Sequence, residues 1–348
     1  MTHLKNVSLS YIAQRLGVSK TLISMVINGN GDKYGISKKT QDRVLKLVKD
    51  LDYKPNQFAR GLRIGKSNTI GLVVSDISNT FYARIARNIE DYCSQQDYNL
   101  IICNSDENQE KEIRIINNLI NKQVDGLIIS STINDTKHLE LLNDKGIPFV
   151  LIDRIYYTYP CNHVIVNNFQ GAKDATSYLI RKGHRNIACF TISPEYISTQ
   201  VDRFSGYRSA IEEHFLHFNR KNYKVIPRDD IYNSIFRILK IMKNNKSLPT
   251  AIFLANNQLT LSLLKVCSDL EINIPGDISI VSFDDIEVFS FTNPSITCVS
   301  QPIESISQNA VKILLELIEK KDMYKDTLKQ ISLKTSLVKR NSVKKINN

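Results

Sequence analysis

No CxxC pair occurs in this chain; its six cysteines (Cys93, Cys103, Cys161, Cys189, Cys267 and Cys298) stand singly along it. Zinc sites and disulfide frameworks need clustered or regularly spaced thiols, so neither is expected, and the cysteines read as small buried hydrophobes. No stretch of about 20 uninterrupted apolar residues exists, which leaves no candidate membrane-spanning helix. The opening residues, MTHLKNVSLS, lack the apolar core of a secretory signal, and the expected compartment is the cytoplasm. Signatures of catalysis are missing too. Gly65-Lys66-Ser67 resembles the end of a phosphate-binding loop, but Arg60 stands where its first glycine belongs. No GxGxxG follows the first apolar run, and neither a nucleophile elbow nor a Ser/His/Asp order is present. His214 and His217 lie three apart with no third ligand to complete a metal site. The chain is therefore expected to be no enzyme and to carry no metal or cofactor.

What is present is a long chain with an uneven charge. At 348 residues, 42% of them hydrophobic and 23% charged, it is large enough for two or three domains and a sizeable core. Its net charge is +11, yet residues 1–66 alone hold thirteen Lys and Arg against four Asp and no Glu, a net of +9. Residues 331–348 add +5, and the stretch between is close to neutral. A basic head on a near-neutral body points to a polyanion partner for the head; a solvated basic surface is the plainer alternative.

The head reads as short helices. Ser8 caps a first helix, Leu9 to Leu16, with Ile12, Ala13 and Leu16 on one stripe. Gly17 sits where the helix must stop, a position that favours left-handed backbone. Ser19 caps a second helix running to Asn28, with Ile23, Val26 and Ile27 inward, and Ser37 opens a third that ends before Tyr53-Lys54-Pro55. A tight two-helix corner needs a small residue where the helices touch, a turn glycine four residues on and a branched apolar residue six beyond that. Ala13, Gly17 and Ile23 meet that spacing, the spacing of a helix-turn-helix. The second helix would then lie in the major groove, with Lys20, Thr21 and Met25 toward base edges and Ser8, Ser19 and Ser24 toward phosphates. Asn28 closes the same helix face. The segment after it, Pro55 to Arg63, is basic and carries Phe58, Ala59 and Leu62 on one helical stripe. It is too short to be helical alone, and Gly61 weakens it further. Either it is a hinge that folds on DNA and drives Leu62 between base steps, or it is an ordinary linker.

From Asn68 onward short apolar runs alternate with amphipathic helices: Ile70–Val74, Leu100–Cys103, Gly126–Ile129, Phe149–Ile152, Val164–Val166, Ile187–Phe190, Ala251–Leu254 and Ile278–Val281. Continuously apolar strands alternating with helices predict parallel sheets covered on both faces. Most of these runs end on Asp, Asn or Ser, as at Asp76, Asp153-Arg154, Asn256-Asn257 and Asp284-Asp285. Ligands of open α/β sheets bind beyond the carboxyl ends of the strands, and a polar rim there suits a polyol. Most such residues are expected merely to cap helices. Of the adjacent Asp284 and Asp285, one is expected to face the pocket and the other to point elsewhere.

Several ordered blocks resemble the LacI/GalR family of transcription regulators: GVSKTLISMVINGN (17–30), YKPNQFARGLRIGKSNTIGLVVSDISNTFY (53–82), NKQVDGLIIS (121–130) and VLIDR (150–154). Further on come RKGHRNIA (181–188), RFSGYRSAI (203–211), TAIFLANN (250–257), IPGDISIVSFDD (274–285) and FTNPSITCVSQP (291–302). The resemblance implies an all-α helix-turn-helix head (1–54), a hinge (55–67) and a two-lobed α/β body of the periplasmic-binding-protein type (68–340), then a basic tail (341–348). The first lobe would span about 68–166 and 301–325 and the second about 167–297 and 328–340, with crossings near Asn167, Thr297–Gln301 and Lys325–Gln330. It further implies a homodimeric repressor on a near-palindromic operator of double-stranded DNA, controlled by a small-molecule effector of sugar type. Asn56, Ala59, Leu62 and Arg63 would join the DNA contacts, with Leu62 as a minor-groove wedge. Asp76, Phe81, Tyr82, Asp153, Arg154, Arg203, Asn256 and Asp284 would line the effector pocket, with Arg203 donating a fork and Phe81 stacking on a ring. The chain departs from the family where Met25 replaces the usual arginine, Gly61 a serine, and Asn257 a common aspartate; Asn168 also makes the pocket less acidic, and the loop Gly31–Gly35 is longer. A solute-binding protein would not carry a +9 head, and a sugar enzyme would need a matched acid, base or nucleophile.

Overall fold

The computed structural model describes residues 8–53, 66–319 and 328–346. The chain divides into two compact units, Met1–Ser67 and Asn68–Asn348. The first is built on α1 (Leu9–Leu16), α2 (Lys20–Ile27) and α3 (Lys38–Asp50). Each helix begins on a serine whose hydroxyl accepts an orphan backbone N–H: Ser8 from Tyr11 at 3.2 Å, Ser19 from Leu22 at 3.1 Å and Ser37 from Thr40 at 3.3 Å. Gly17 ends α1 at φ 65°, the left-handed backbone that only glycine adopts without strain. Ile12, Ala13, Ile23, Val26 and Val44 close over one small core.

The second unit opens with β1 (Thr69–Val74), α4 (Thr80–Ser94), β2 (Asn99–Asn104), α5 (Gln109–Asn121), β3 (Gly126–Ile129), α6 (Lys137–Asp144), β4 (Phe149–Ile152) and β5 (His163–Val166). It continues with α7 (Asn168–Arg181), β6 (Ile187–Ile192), α8 (Ser198–Glu213), β7 (Tyr223–Ile226), α9 (Ile231–Asn244), β8 (Ala251–Leu254) and α10 (Asn257–Asp269). Last come β9 (Ser279–Phe283), α11 (Val288–Phe291), β10 (Thr297–Ser300), α12 (Ile303–Glu319), β11 (Gln330–Leu333) and β12 (Ser336–Val338). The strands form two six-stranded sheets, ordered β11-β5-β4-β3-β1-β2 and β12-β10-β9-β8-β6-β7. Every pair is parallel except β10 with β12. β3, β4, β8 and β9 are buried along their whole length, as strands sandwiched between helix layers must be.

Each sheet is the centre of a lobe, and among the described residues the chain passes between lobes three times. The first passage follows Val166 and the second follows Ser300, since α12 packs its Ile306, Ala310 and Leu314 into the first lobe's core. The third falls at Lys334–Thr335 rather than in the expected stretch Lys325–Gln330. Gln330–Leu333 pairs in parallel with β5, so this strand belongs to the first lobe, and only from Ser336 does the chain join the second. Residues 341–346 are not a loose tail: Ser342 is fully buried, and its hydroxyl donates to Ile280 O at 2.7 Å and accepts from Thr297 N at 2.8 Å. Glycine sets one close approach. A Cβ at Gly206 would lie 2.1 Å from Phe169 O, so only glycine lets α8 sit against α7.

Candidate DNA-reading face and interlobe cleft

In the head, Lys20, Thr21, Ser24, Met25 and Asn28 fall on one side of α2, opposite the buried Ile23 and Val26. Lys20 and Thr21 are exposed, while Ser24, Met25 and Asn28 are half-buried. Ser8 and Ser19 stand at the N-termini of α1 and α2, where backbone N–H groups and the positive end of the helix dipole favour a phosphate. Asn28 is less free than expected: its amide donates to Ser24 O at 2.6 Å. The loop after α2 is pinned, with Gln41 donating to Asp32 Oδ1 and to Ile36 O at 2.8 Å each. Asn56, Ala59, Leu62 and Arg63, and with them the hinge, lie outside the described residues.

In the body, a narrow cleft lies between the carboxyl ends of the two sheets. All eight pocket residues named from the sequence line it: Asp76, Phe81, Tyr82, Asp153, Arg154, Arg203, Asn256 and Asp284. The lobes supply matching carboxylates. Asp153 directly follows β4 and Asp284 directly follows β9, and both hold left-handed backbone, at φ 64° and 72°. Aspartate tolerates that region better than most residues, and strain kept at two corresponding strand ends is a mark of a built site. Asp153 accepts from the Tyr82 hydroxyl at 2.7 Å; Asp284 accepts from Gln301 Nε2 at 2.6 Å. Burial pushes the Asp284 carboxyl above its ordinary value, and Arg203 opposes that only in part. Asp285 points elsewhere, into a bidentate pair with Arg340 at 3.0 and 3.1 Å.

The arginines are more occupied than their sequence positions suggest. Arg203 sends Nε to Asn168 Oδ1 at 2.8 Å and Nη1 to Ala255 O at 2.6 Å, so part of its expected fork is already taken. Its guanidinium lies 3.7 Å from the centre of the Phe283 ring. Arg154 is held in a fork by Glu107, at 2.8 and 2.7 Å. Glu107 also meets Arg228 Nη1 of the other lobe at 3.1 Å. Burial alone would raise the Glu107 carboxyl, but the two guanidiniums outweigh it and hold it below its ordinary value. Phe81 sits edge-on to Tyr82, ring centres 5.0 Å apart, on the cleft wall.

Further bridges cross the cleft: Gln258 Nε2 donates to Asp76 Oδ2 at 2.9 Å and Asn257 Nδ2 to Asn79 Oδ1 at 2.8 Å. Three buried polar atoms around it have no hydrogen-bond partner, Arg228 Nε, Gln301 Oε1 and Asn257 Oδ1, and Arg154 Nε has only the Asp153 carboxylate, at 3.5 Å. Buried polar atoms are normally paired, so such a group gathered at one cleft makes it the candidate site for a polar ligand. Glu107, Arg228, Gln258 and Gln301 were missed in the sequence. Glu107 lies three residues past the end of β2, whereas Arg228 follows β7, an edge strand whose half-exposed Lys224 hides the apolar run. Among the described residues no cluster of His, Cys, Asp and Glu is arranged to hold a metal, and no helix is long and apolar enough to cross a membrane.

Comparison with known proteins agrees with this architecture. Residues 8–56 match the family described as bacterial regulatory proteins, lacI family, and residues 176–343 match a periplasmic binding protein-like domain. Catabolite control protein A of Priestia megaterium is 34% identical over 315 residues, 90% of this chain and 93% of its own. The lac repressor bound to ONPG in its repressed state superposes with a TM-score of 0.81 at 25% identity, covering 97% of this chain and 100% of that one. The transcriptional regulator CelR in complex with cellobiose gives 0.70 at 25% identity, covering 97% and 99%. The chain belongs to the LacI family of bacterial regulatory proteins, and is a transcriptional regulator with a DNA-binding helix-turn-helix head and a two-lobed effector-binding body.

Proposed function

We propose that the chain represses transcription as a homodimer on a near-palindromic operator, with its DNA affinity set by a sugar-type molecule held between the lobes. The observation that carries the sugar reading is the pair of carboxylates Asp153 and Asp284 facing one cleft together with its unpartnered guanidinium and carboxamide atoms. A hydroxyl both donates and accepts, so a ring of hydroxyls serves carboxylate, carboxamide oxygen and guanidinium nitrogen together. Four carboxylates (Asp76, Glu107, Asp153, Asp284) and three guanidiniums (Arg154, Arg203, Arg228) line the cleft, so its charge nearly cancels and a neutral ligand fits. The likeness to the cellobiose-bound CelR supports the same class.

The coupling is mechanical. Ligand and bridging side chains together set how far the lobes close, and closure fixes the spacing of the two heads that a dimer presents to half-sites one helical turn apart. A ligand that prefers one degree of closure shifts operator affinity by its differential binding, typically about 1–3 kcal/mol. The effector is found by thermal melting of the full chain against separate pools of sugars and nucleosides. A sugar pool that raises the melting point of the native chain, and leaves Asp153→Asn unmoved, supports this reading; a shift by nucleosides alone overturns it.

A further inference from the structure

Two basic stretches far apart in sequence meet at the base of the second lobe, the amino-terminal end of its parallel strands. One closes α7 and leads into β6: Arg181, Lys182 and Arg185. The other follows β12, whose antiparallel run ends at that base: Lys339, Lys344 and Lys345. Ile346 N donates to Lys182 O at 2.8 Å, and His184 Nε2 lies 3.2 Å from Lys344 O. Lys182 and Lys339 both stand over the Tyr178 ring, 5.5 and 5.6 Å from its centre. Residues 175–194 and 327–348 contain no Asp or Glu. Among the described residues none of the six cations forms an ion pair. Asp277, beside the Gly276 carbonyl that takes the Lys344 ammonium, turns instead to Asn273, accepting from its backbone and amide nitrogens at 2.8 and 3.2 Å. The negative end of α7 accounts for Arg185, whose Nη1 donates to Ile180 O at 3.1 Å. It does not account for the exposed Lys339 and Lys345.

The surface around these cations is poor in apolar groups. Among the described residues no large hydrophobic side chain of 170–195 or 329–346 is exposed. A protein interface needs a desolvated apolar centre, and a membrane contact inserts apolar side chains. Single-stranded nucleic acid stacks its bases on open rings, but Tyr178 is buried beneath its two lysines. A duplex asks only for cations along its phosphates.

We infer that the base of the second lobe is a sequence-independent contact for the phosphates of duplex DNA, by which a chain seated on its operator holds a second duplex. The full chain is loaded onto its immobilised operator and offered a labelled duplex of unrelated sequence, with labelled polyglutamate and phosphatidylglycerol vesicles in parallel. Capture of the second duplex is expected, falling with salt at a log–log slope of about −5, roughly 0.9 for each of six phosphates. Reversing exposed cations together, by Arg181→Glu, Lys339→Glu and Lys345→Glu, is expected to reduce that capture ten-fold or more and to change loading on the operator less than two-fold. Lys339→Arg with Lys345→Arg keeps the charge and is expected to keep the capture. A loaded chain that takes up no second duplex, or a charge-reversed chain that takes up as much as the native one, would overturn the second contact. So would capture of polyglutamate or vesicles but not of duplex.

Discussion

Glu107 of one lobe and Arg228 of the other form an ion pair across the cleft, at 3.1 Å, and the same carboxylate holds Arg154 in a fork. One carboxylate thus compensates two guanidiniums, and Arg154 is buried. Removing the shared partner leaves Arg228 without its carboxylate and Arg154 with only the longer contact to Asp153 at 3.5 Å, which is the costly way to break a buried pair. Glu107→Gln is expected to destabilise the body by on the order of 3 kcal/mol at pH 7 in urea unfolding. The folded value of this carboxyl is depressed, so its contribution is present above the unfolded value, near 4.3, and is lost as pH falls through the lower folded value. The gap between native and variant should persist at pH 5 and shrink below about pH 4; a gap independent of pH would contradict the pairing.

Asp284 has the opposite sign. Burial raises its carboxyl, so the ionised form costs stability that is fully present above the folded value and disappears as pH falls below the unfolded value, near 3.9. Asp284→Asn keeps the side chain's shape and suits the left-handed backbone. It is expected to match or exceed the native chain in stability by up to about 1 kcal/mol at neutral pH, with the difference closing in acid. It should also lose at least ten-fold in effector affinity, as expected of strain kept for binding. A variant that is markedly less stable yet binds normally would contradict this.

In the head, Ser19→Ala removes the N-cap of α2 and is expected to cost about 1 kcal/mol of helix stability. Met25→Arg places a guanidinium on the exposed side of α2 beside Lys20 and Thr21, and should shift one position per half-site toward guanine. Bound-sequence selection with both proteins reads that shift, and identical preferences would count against α2 as the reading helix.

Leu62→Ala is expected to weaken operator binding at least ten-fold while leaving non-specific duplex binding within about two-fold, because a wedge matters only where the DNA is kinked. Equal losses on both duplexes would favour the ordinary-linker reading of residues 55–63.

Much of this was legible in the sequence where one force dominated. Capping serines and the Ala13, Gly17, Ile23 spacing located α1 and α2, and uninterrupted apolar runs located β3, β4 and β8 at their observed limits. Strands β7, β10, β11 and β12 were not seen: β7, β11 and β12 are half-exposed and their alternation with Lys and Ser carries little apolar signal, whereas β10, though mostly buried, is a four-residue run, TCVS, with polar residues at both ends, read only as a lobe crossing. The same weakness displaced the third lobe crossing. In the cleft, residue type and position at strand ends marked the eight lining residues, but not that Arg154 and Arg203 are largely engaged within the protein. Glu107 and Asn168, which engage them, come from distant stretches of chain, and only the fold brings them into contact.

The most direct measurement is selection of bound sequences from random duplexes by the full chain, repeated with a sugar pool, with salt titration on the winner. The expected result is a near-palindromic winner whose affinity falls steeply with salt and changes at least five-fold with the sugar pool, but not for Asp153→Asn. A non-palindromic winner, or one indifferent to every sugar while nucleosides alter its affinity, would contradict the account.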